Sequence, residues 1–265
     1  MYDYHIHSNF STDSNMSMDQ ACQRSIELGL SEIAFTDHLD IDYPGFDEQF
    51  MIDFDKYVEQ CSIVQVKYAS ELKIRKGIEI GLQPHTLQQS AEVASAYRFD
   101  YIIASTHVVD KLDLDNGDFC CNKTKKEAYR RYLEDMYANI KKFDPFCVLG
   151  HIDVIRRYGS YEDKDMRYAD YADILDEILK WLIENGKGIE INTSGFRYGL
   201  NSTMPTPEFV QRYKDLGGEI LTIGSDAHST EYIAYKFDLA YDIARNAGFK
   251  YITTFEQLKP SFRKI

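Results

Sequence analysis

The sequence has no apolar run approaching the roughly 18 residues of a membrane-spanning helix. Its start, Met-Tyr-Asp-Tyr-His, lacks the basic opening and apolar stretch of a signal peptide, so a cytoplasmic location is the expectation. Cysteine is scarce and unpatterned: Cys22, Cys61, Cys120, Cys121 and Cys147 form an odd set with no C-x-x-C pair. Disulfide scaffolds and zinc ribbons both fit poorly. Positive charge is in deficit, with 30 Lys and Arg against 43 Asp and Glu and a net charge of −13. A chain that grips nucleic-acid phosphates shows a basic face. The nearest thing here, Lys123, Lys125, Lys126, Arg130 and Arg131, is interleaved with Glu127 and Glu134 and reads as a solvated helix face. Small molecules are therefore the expected partners, with no nucleic acid and no membrane. No G-x-G-x-x-G follows the first apolar run, which argues against a dinucleotide-binding sheet. No linker rich in Pro, Gly or Ser divides the chain, so 1–265 reads as one domain.

What is present is a short apolar run followed by an amphipathic stretch, repeated along the chain. Strands are expected at Asp3–His7, Glu32–Thr36, Ile74–Ile80, Tyr101–Ser105, Cys147–His151, Ile189–Asn192 and Ile220–Gly224, with a short eighth at Tyr251–Thr254. Helices are expected at Met18–Leu28, Phe54–Ser70, Leu87–Ala96, Lys125–Lys142, Tyr171–Glu184, Pro207–Leu216 and Ile233–Ala247. Ser17 followed by Gln20 resembles a capping box, and Gly29, Gly186 and Gly217 stand where helices should stop. Such alternation argues for an α/β fold with a parallel sheet. Seven or eight units suit a single, distorted TIM-like barrel; a doubly wound open sheet is the alternative. The loops Asp40–Asp53 and Val108–Lys123 are long enough to cover a site.

Six of the seven histidines fall at or just past the C-terminal end of an expected strand. His5 and His7 close the first, and His38 follows the second. His107 follows the fourth, His151 the fifth and His228 the seventh, beside Asp226; Glu79 lies near the end of the third. In a parallel barrel those ends share one face, where active sites are built. Strand side chains alternate, so His5 and His7 point the same way and can bind one metal together. Glu79 can bridge two metals, which a neutral imidazole cannot, and Asp13 is a further candidate in the loop leaving the first strand. Imidazole with carboxylate suits zinc, iron or manganese better than calcium or magnesium. A lone strand-end histidine is usually structural; six on one face, with acids among them, point to a metal cluster. His85, in a turn, is read as structural.

These motifs, in this order, resemble the polymerase and histidinol phosphatase (PHP) family. The likeness runs from His5-Ile6-His7 to Ser225-Asp226-Ala227-His228, nearly the whole chain. It implies a distorted (β/α)7 barrel with two to three divalent transition metals. It also implies three ligand sets: His5, His7, Glu79 and Asp226; Glu79, His107 and His151; and Asp13, His38 and His228. Some family members have a histidine where this chain has Asp13, a change that keeps a ligand. The segments from Gly150 to Gly159 and from Glu190 to Arg197 look most like histidinol-phosphate phosphatases, which makes Arg156 and Arg197 the candidates for gripping phosphate.

The implied reaction is hydrolysis of L-histidinol phosphate to L-histidinol and phosphate. A metal lowers the pKa of bound water from about 15.7 towards 7, supplying hydroxide for in-line attack. Three divalent metals against three carboxylates would leave the site cationic inside an acidic protein. Glu79, Asp13 and His228 are the catalytic candidates, and a metal-bound water, His228 or Asp13 would protonate the leaving group. Three other readings stay open: a family phosphoesterase for nucleotides or sugar phosphates, an amidohydrolase-like barrel, and a non-enzymatic metal-binding domain. An amidohydrolase normally has a bridging lysine on a middle strand, where this chain has Glu79. A decayed site should have lost ligands, and all nine positions are filled.

Overall fold

Alternating apolar runs and amphipathic stretches become alternating strands and helices in the computed structural model, which describes residues 1–45 and 50–265. The first half runs β1 (Tyr2–Ile6), α1 (Met18–Glu27), β2 (Glu32–Phe35), β3 (His38–Leu39), α2 (Phe54–Lys67), β4 (Lys73–Gly81), α3 (Leu87–Ala96) and β5 (Tyr101–Ser105). A small hairpin, β6 (Val108–Val109) and β7 (Leu112–Asp113), precedes α4 (Lys125–Ile140) and β8 (Val148–Leu149). Then come α5 (Ala172–Glu184), β9 (Gly188–Asn192), α6 (Ser194–Arg197), α7 (Pro207–Asp215), β10 (Leu221–Gly224) and α8 (Phe237–Asn246). A second hairpin, β11 (Tyr251–Glu256) and β12 (Lys259–Lys264), follows.

Seven parallel strands, in the order β1-β2-β4-β5-β8-β9-β10, form the wall of a nearly closed barrel. The seam between β1 and β10 is closed just past the strand ends. There Ile6 bridges to Ala227 in parallel, and the His7 N–H donates to the Ala227 carbonyl at 2.9 Å. Asp3 stitches the same seam, accepting from the Ser225 N–H at 3.0 Å and the Ser225 hydroxyl at 2.6 Å. β3 continues β2 past a break and pairs with the upper half of β4, which sets His38 beside Glu79 in register.

Local chemistry accounts for the helix boundaries. Ser17 Oγ accepts from the Gln20 N–H while Gln20 Oε1 accepts from the Ser17 N–H, the reciprocal pair expected from the sequence. After α7 the chain turns at Gly217 with φ +96°, a conformation that a side chain would strain. No helix among the described residues is long and apolar enough to cross a membrane.

One expected element lies elsewhere. Tyr251–Glu256 does not join the barrel; it pairs antiparallel with Lys259–Lys264 across Gln257 and Leu258, both at positive φ. The tight turn supplies a partner within the same segment, so no place in the parallel wall is needed. The hairpin caps the barrel where its strands begin. The Phe255 N–H donates to the Tyr4 hydroxyl at 2.9 Å, and Phe255 packs with Tyr4, Ala34, Tyr101, Ile103, Cys147 and Val148. Arg75 ties the cap down, its guanidinium reaching Glu32 at 2.6 Å and Glu256 at 2.9 Å. The C-terminal end of the wall is left open.

Candidate metal centre

Nine side chains gather at that open end. His5 and His7, two apart on β1, turn their Nε2 atoms to within 3.0 Å of each other. Their other nitrogens are held from behind, His5 Nδ1 by Glu190 at 2.7 Å and His7 Nδ1 by Ser11 Oγ at 3.0 Å. Both Nε2 lone pairs therefore face a common point. Glu79 Oε2 lies 3.3 and 3.5 Å from the two nitrogens, and Asp226 Oδ1 lies 3.9 and 3.4 Å from them.

Glu79 carries the cluster onward. Its Oε1 lies 2.8 Å from His151 Nε2 and 3.4 Å from His107 Nε2, and accepts from Ser105 Oγ at 2.7 Å. Asp40 fixes His107 through Nδ1 at 2.8 Å, leaving Nε2 free to face inward. Farther out, Asp13 Oδ2 lies 3.1 Å from His228 Nε2 and 3.7 Å from His38 Nε2. His38 is shared, because its Nδ1 also faces Glu79 Oε2 at 3.1 Å. The tightest groupings are accordingly His5, His7 and Glu79; His38, Glu79 and His107; and His7, His38 and His228.

Two local features let the chain converge this closely. A Cβ on Gly224 would lie 2.2 Å from Glu190 Oε1 and 2.4 Å from His5 Cβ, so only glycine admits both beside β10. Asp226 then adopts φ +54°, which aspartate tolerates better than most residues, and the turn brings Asp226 and His228 over the barrel mouth.

Divalent metals fit this arrangement. Glu79 Oε2, His38 Nδ1 and His228 Nε2 are buried and lie at ion-pair distance from one another or from Asp13, yet make no hydrogen bond of good geometry among the described residues. Unpaired buried polar atoms are costly, and a cation held between them removes the cost. The carboxylates are already in their ligating form. Burial opposes ionisation of Glu79, but the fields of His5, His107 and His38 overcome it and hold its carboxyl well below the usual range. Asp226 is likewise held low against burial by His5 and His7, and Asp13 against burial by His228 and His38. His107 is pushed up to about 10 despite burial, by Asp40 and Glu79. His7 goes the other way: burial, then the neighbouring His228 and His38, keep it neutral.

The two arginines expected to grip phosphate are otherwise engaged. Arg156 is fully buried, with its guanidinium bonded to Asp153 Oδ2 at 2.9 Å and Ser202 Oγ at 2.9 Å. Arg197 donates to the backbone carbonyls of Ser225 at 3.1 Å and Asp226 at 2.5 Å, bracing the turn that carries Asp226. Neither lines the cavity of about 480 Å³ above the cluster; Arg157 does, its guanidinium 3.4 Å over the Tyr198 ring. In a single-turn helix from Val154 to Arg157, consecutive arginines point apart, so the residue beside the expected one faces the cavity. Asp113, Asp115 and Asn116 also line it, from the expected covering loop Val108–Lys123. Of the other such loop, Asp40, Tyr43 and Phe50 line it, while 46–49 lie outside the described residues. Sequence reasoning also passed over Glu190 and Asp40, the acids behind His5 and His107. A glutamate between two isoleucines of an apolar strand was the available signal for the first, and the i, i+2 spacing from His38 for the second.

A PHP domain model matches residues 3–194. A probable histidinol-phosphatase of Clostridium acetobutylicum is 34% identical over 252 residues, covering 94% of this chain and 95% of the relative. The histidinol-phosphatase of Lactococcus lactis subsp. lactis is 32% identical over 258 residues, covering 97% and 95%. The crystal structure of histidinol phosphate phosphatase from Lactococcus lactis subsp. lactis, complexed with Zn, L-histidinol and phosphate, superposes with a TM-score of 0.92, covering 98% of each chain at 32% identity.

Proposed function

This chain belongs to the PHP domain family, and from that premise we propose that it is a metal-dependent phosphatase hydrolysing L-histidinol phosphate to L-histidinol and phosphate. The observation that carries the reading is the convergence of nine ligand-type side chains, several with unpaired buried atoms, at the open end of a barrel that follows a zinc-containing histidinol phosphate phosphatase along 98% of its length.

The centre takes two to three divalent transition metals, of the zinc, iron or manganese type. His5, His7, Glu79 and Asp226 would hold the first, Glu79, His107 and His151 the second, and Asp13, His38 and His228 the third. When bound, such metals lower the pKa of water towards about 7 and offset the charge of a dianionic phosphate. The chain's own groups do the rest. Glu79 presents both oxygens between two ligand sets; Glu190, Asp40 and Ser11 orient the imidazoles they touch. Asp13 and His228, with side chains 48% and 21% exposed, are the cluster members best placed to pass a proton to the leaving oxygen. Arg157 supplies the cavity's guanidinium.

The test is a panel of phosphate esters with metal analysis on the same sample. L-histidinol phosphate should give the highest kcat/KM. If a nucleotide exceeds it, the substrate assignment is wrong although the phosphatase class survives. Glu79→Gln should lower turnover at least about a hundredfold, by analogy with other removed electrostatic stabilisers; wild-type turnover in that variant would rule out the bridging role.

A further inference from the structure

Charge is unevenly distributed along the depth of the cavity. Asp13, Glu79 and Asp226 at its floor are engaged by imidazoles, and Asp40 by His107. Two more carboxylates line it on the segment leaving β7, Asp113 and Asp115. Asp113 is buried and already partnered: its Oδ1 accepts from the Tyr43 hydroxyl at 2.6 Å and from the Asp115 N–H at 2.7 Å. The second of these bonds fixes the backbone of Asp115. The Asp115 carboxylate itself is exposed and makes no hydrogen bond or ion pair among the described residues. Arg157, the one arginine or lysine lining the cavity among the described residues, lies flat on Tyr198; it feels the Asp115 charge through space, but the two form no ion pair.

An unpaired carboxylate at the mouth of a site for a phosphate dianion repels any substrate whose second half is also anionic. It attracts one whose second half is cationic. We propose that Asp115, braced by Asp113, is a specificity residue that receives a positively charged, amine-bearing leaving group while the phosphate lies at the cluster. The proposal rests on the phosphatase reading above and adds to it the charge of the leaving group. Phe50, Tyr158 and Tyr198 give such a group apolar and aromatic walls, and aromatic faces are themselves favourable to cations.

The experiment uses the metal-loaded full chain and two small esters of equal reach, O-phosphoethanolamine and ethyl phosphate. The readout is the ratio of their kcat/KM values. The unsubstituted protein should favour the amine ester by roughly ten- to a hundredfold, the range of a hydrogen bond to a charged group. Asp115→Asn should bring the ratio near one, and Asp115→Lys should invert it, with metal content unchanged in both. No preference in the unsubstituted protein overturns the proposal, and so does a ratio that survives Asp115→Asn. Failure of the histidinol phosphate assignment is seen separately, as a poor kcat/KM for that ester while the amine-over-ethyl ratio stands.

Discussion

Glu190 sits mid-strand between Ile189 and Ile191, wholly buried, and its two oxygens reach His5 Nδ1 and the His151 N–H. One carboxylate thus holds the imidazole of one ligand set and the backbone of another. Glu190→Gln keeps the shape but loses the charge, and should weaken metal affinity by about ten- to a hundredfold. A chelator competition assay reads this directly; unchanged affinity would show that Glu190 does not orient the ligands. The neighbouring arginines give a paired test. Arg156→Ala strands the buried carboxylate of Asp153 and should cost about 3–5 kcal/mol, seen as a Tm lower by roughly 10 °C. Arg157→Ala should leave Tm almost unchanged and raise KM for the ester about tenfold or more. Reversed phenotypes would return Arg156 to the site. The ligand candidates were legible because histidine is rare and its position at a strand end carries information. Which of two adjacent arginines faces the cavity was not, because that depends on the phase of a one-turn helix that no periodicity announces.

At the scale of elements, the strand and helix pattern read from the sequence was close. β5 and α3 match residue for residue. β8 is shorter than expected, two residues, because the chain leaves the wall at Gly150 to present His151. The hairpin of β11 and β12 was half seen: β12 is almost wholly exposed and has no apolar alternation to betray it. Helices α5 and α7 are joined by a contact that patterning also hides, Asp176 accepting from Arg212 at 2.9 and 2.6 Å. Hydrogen bonds from Arg212, against partial burial, hold Asp176 well below the usual carboxylate range. A depressed folded-state pKa stabilises the fold above the unfolded value near 4, and that contribution declines as pH falls from there through the lower folded-state value. Asp176→Asn should therefore cost about 1 kcal/mol at neutral pH, and the difference from wild type should shrink steadily as pH is lowered below about 4 in denaturant titrations. A difference that does not change with pH would mean that packing, not charge, joins the helices.

For the molecule as a whole, the metals and the fold are one system. We propose that 1–265 unfolds as a single unit, the capping hairpin included, so near- and far-ultraviolet circular dichroism should melt together. Protein purified without chelator should carry two to three metal equivalents per chain by elemental analysis. Stripping them should lower Tm by roughly 10 °C, the equivalent of about 4 kcal/mol for a site filled a thousandfold above its dissociation constant. Retained activity with one equivalent or fewer would contradict the multinuclear reading.

The seam between β1 and β10 has a consequence for biosynthesis. Asp226 and His228, which complete the surroundings of His5 and His7, leave the ribosome more than two hundred residues after them. Until then the nascent chain offers only partial ligand sets, and a metal caught early has lost none of its freedom to leave. Retention of a metal would thereby depend on the last parallel strand, since only with Asp226 and His228 in place is the ligand set complete.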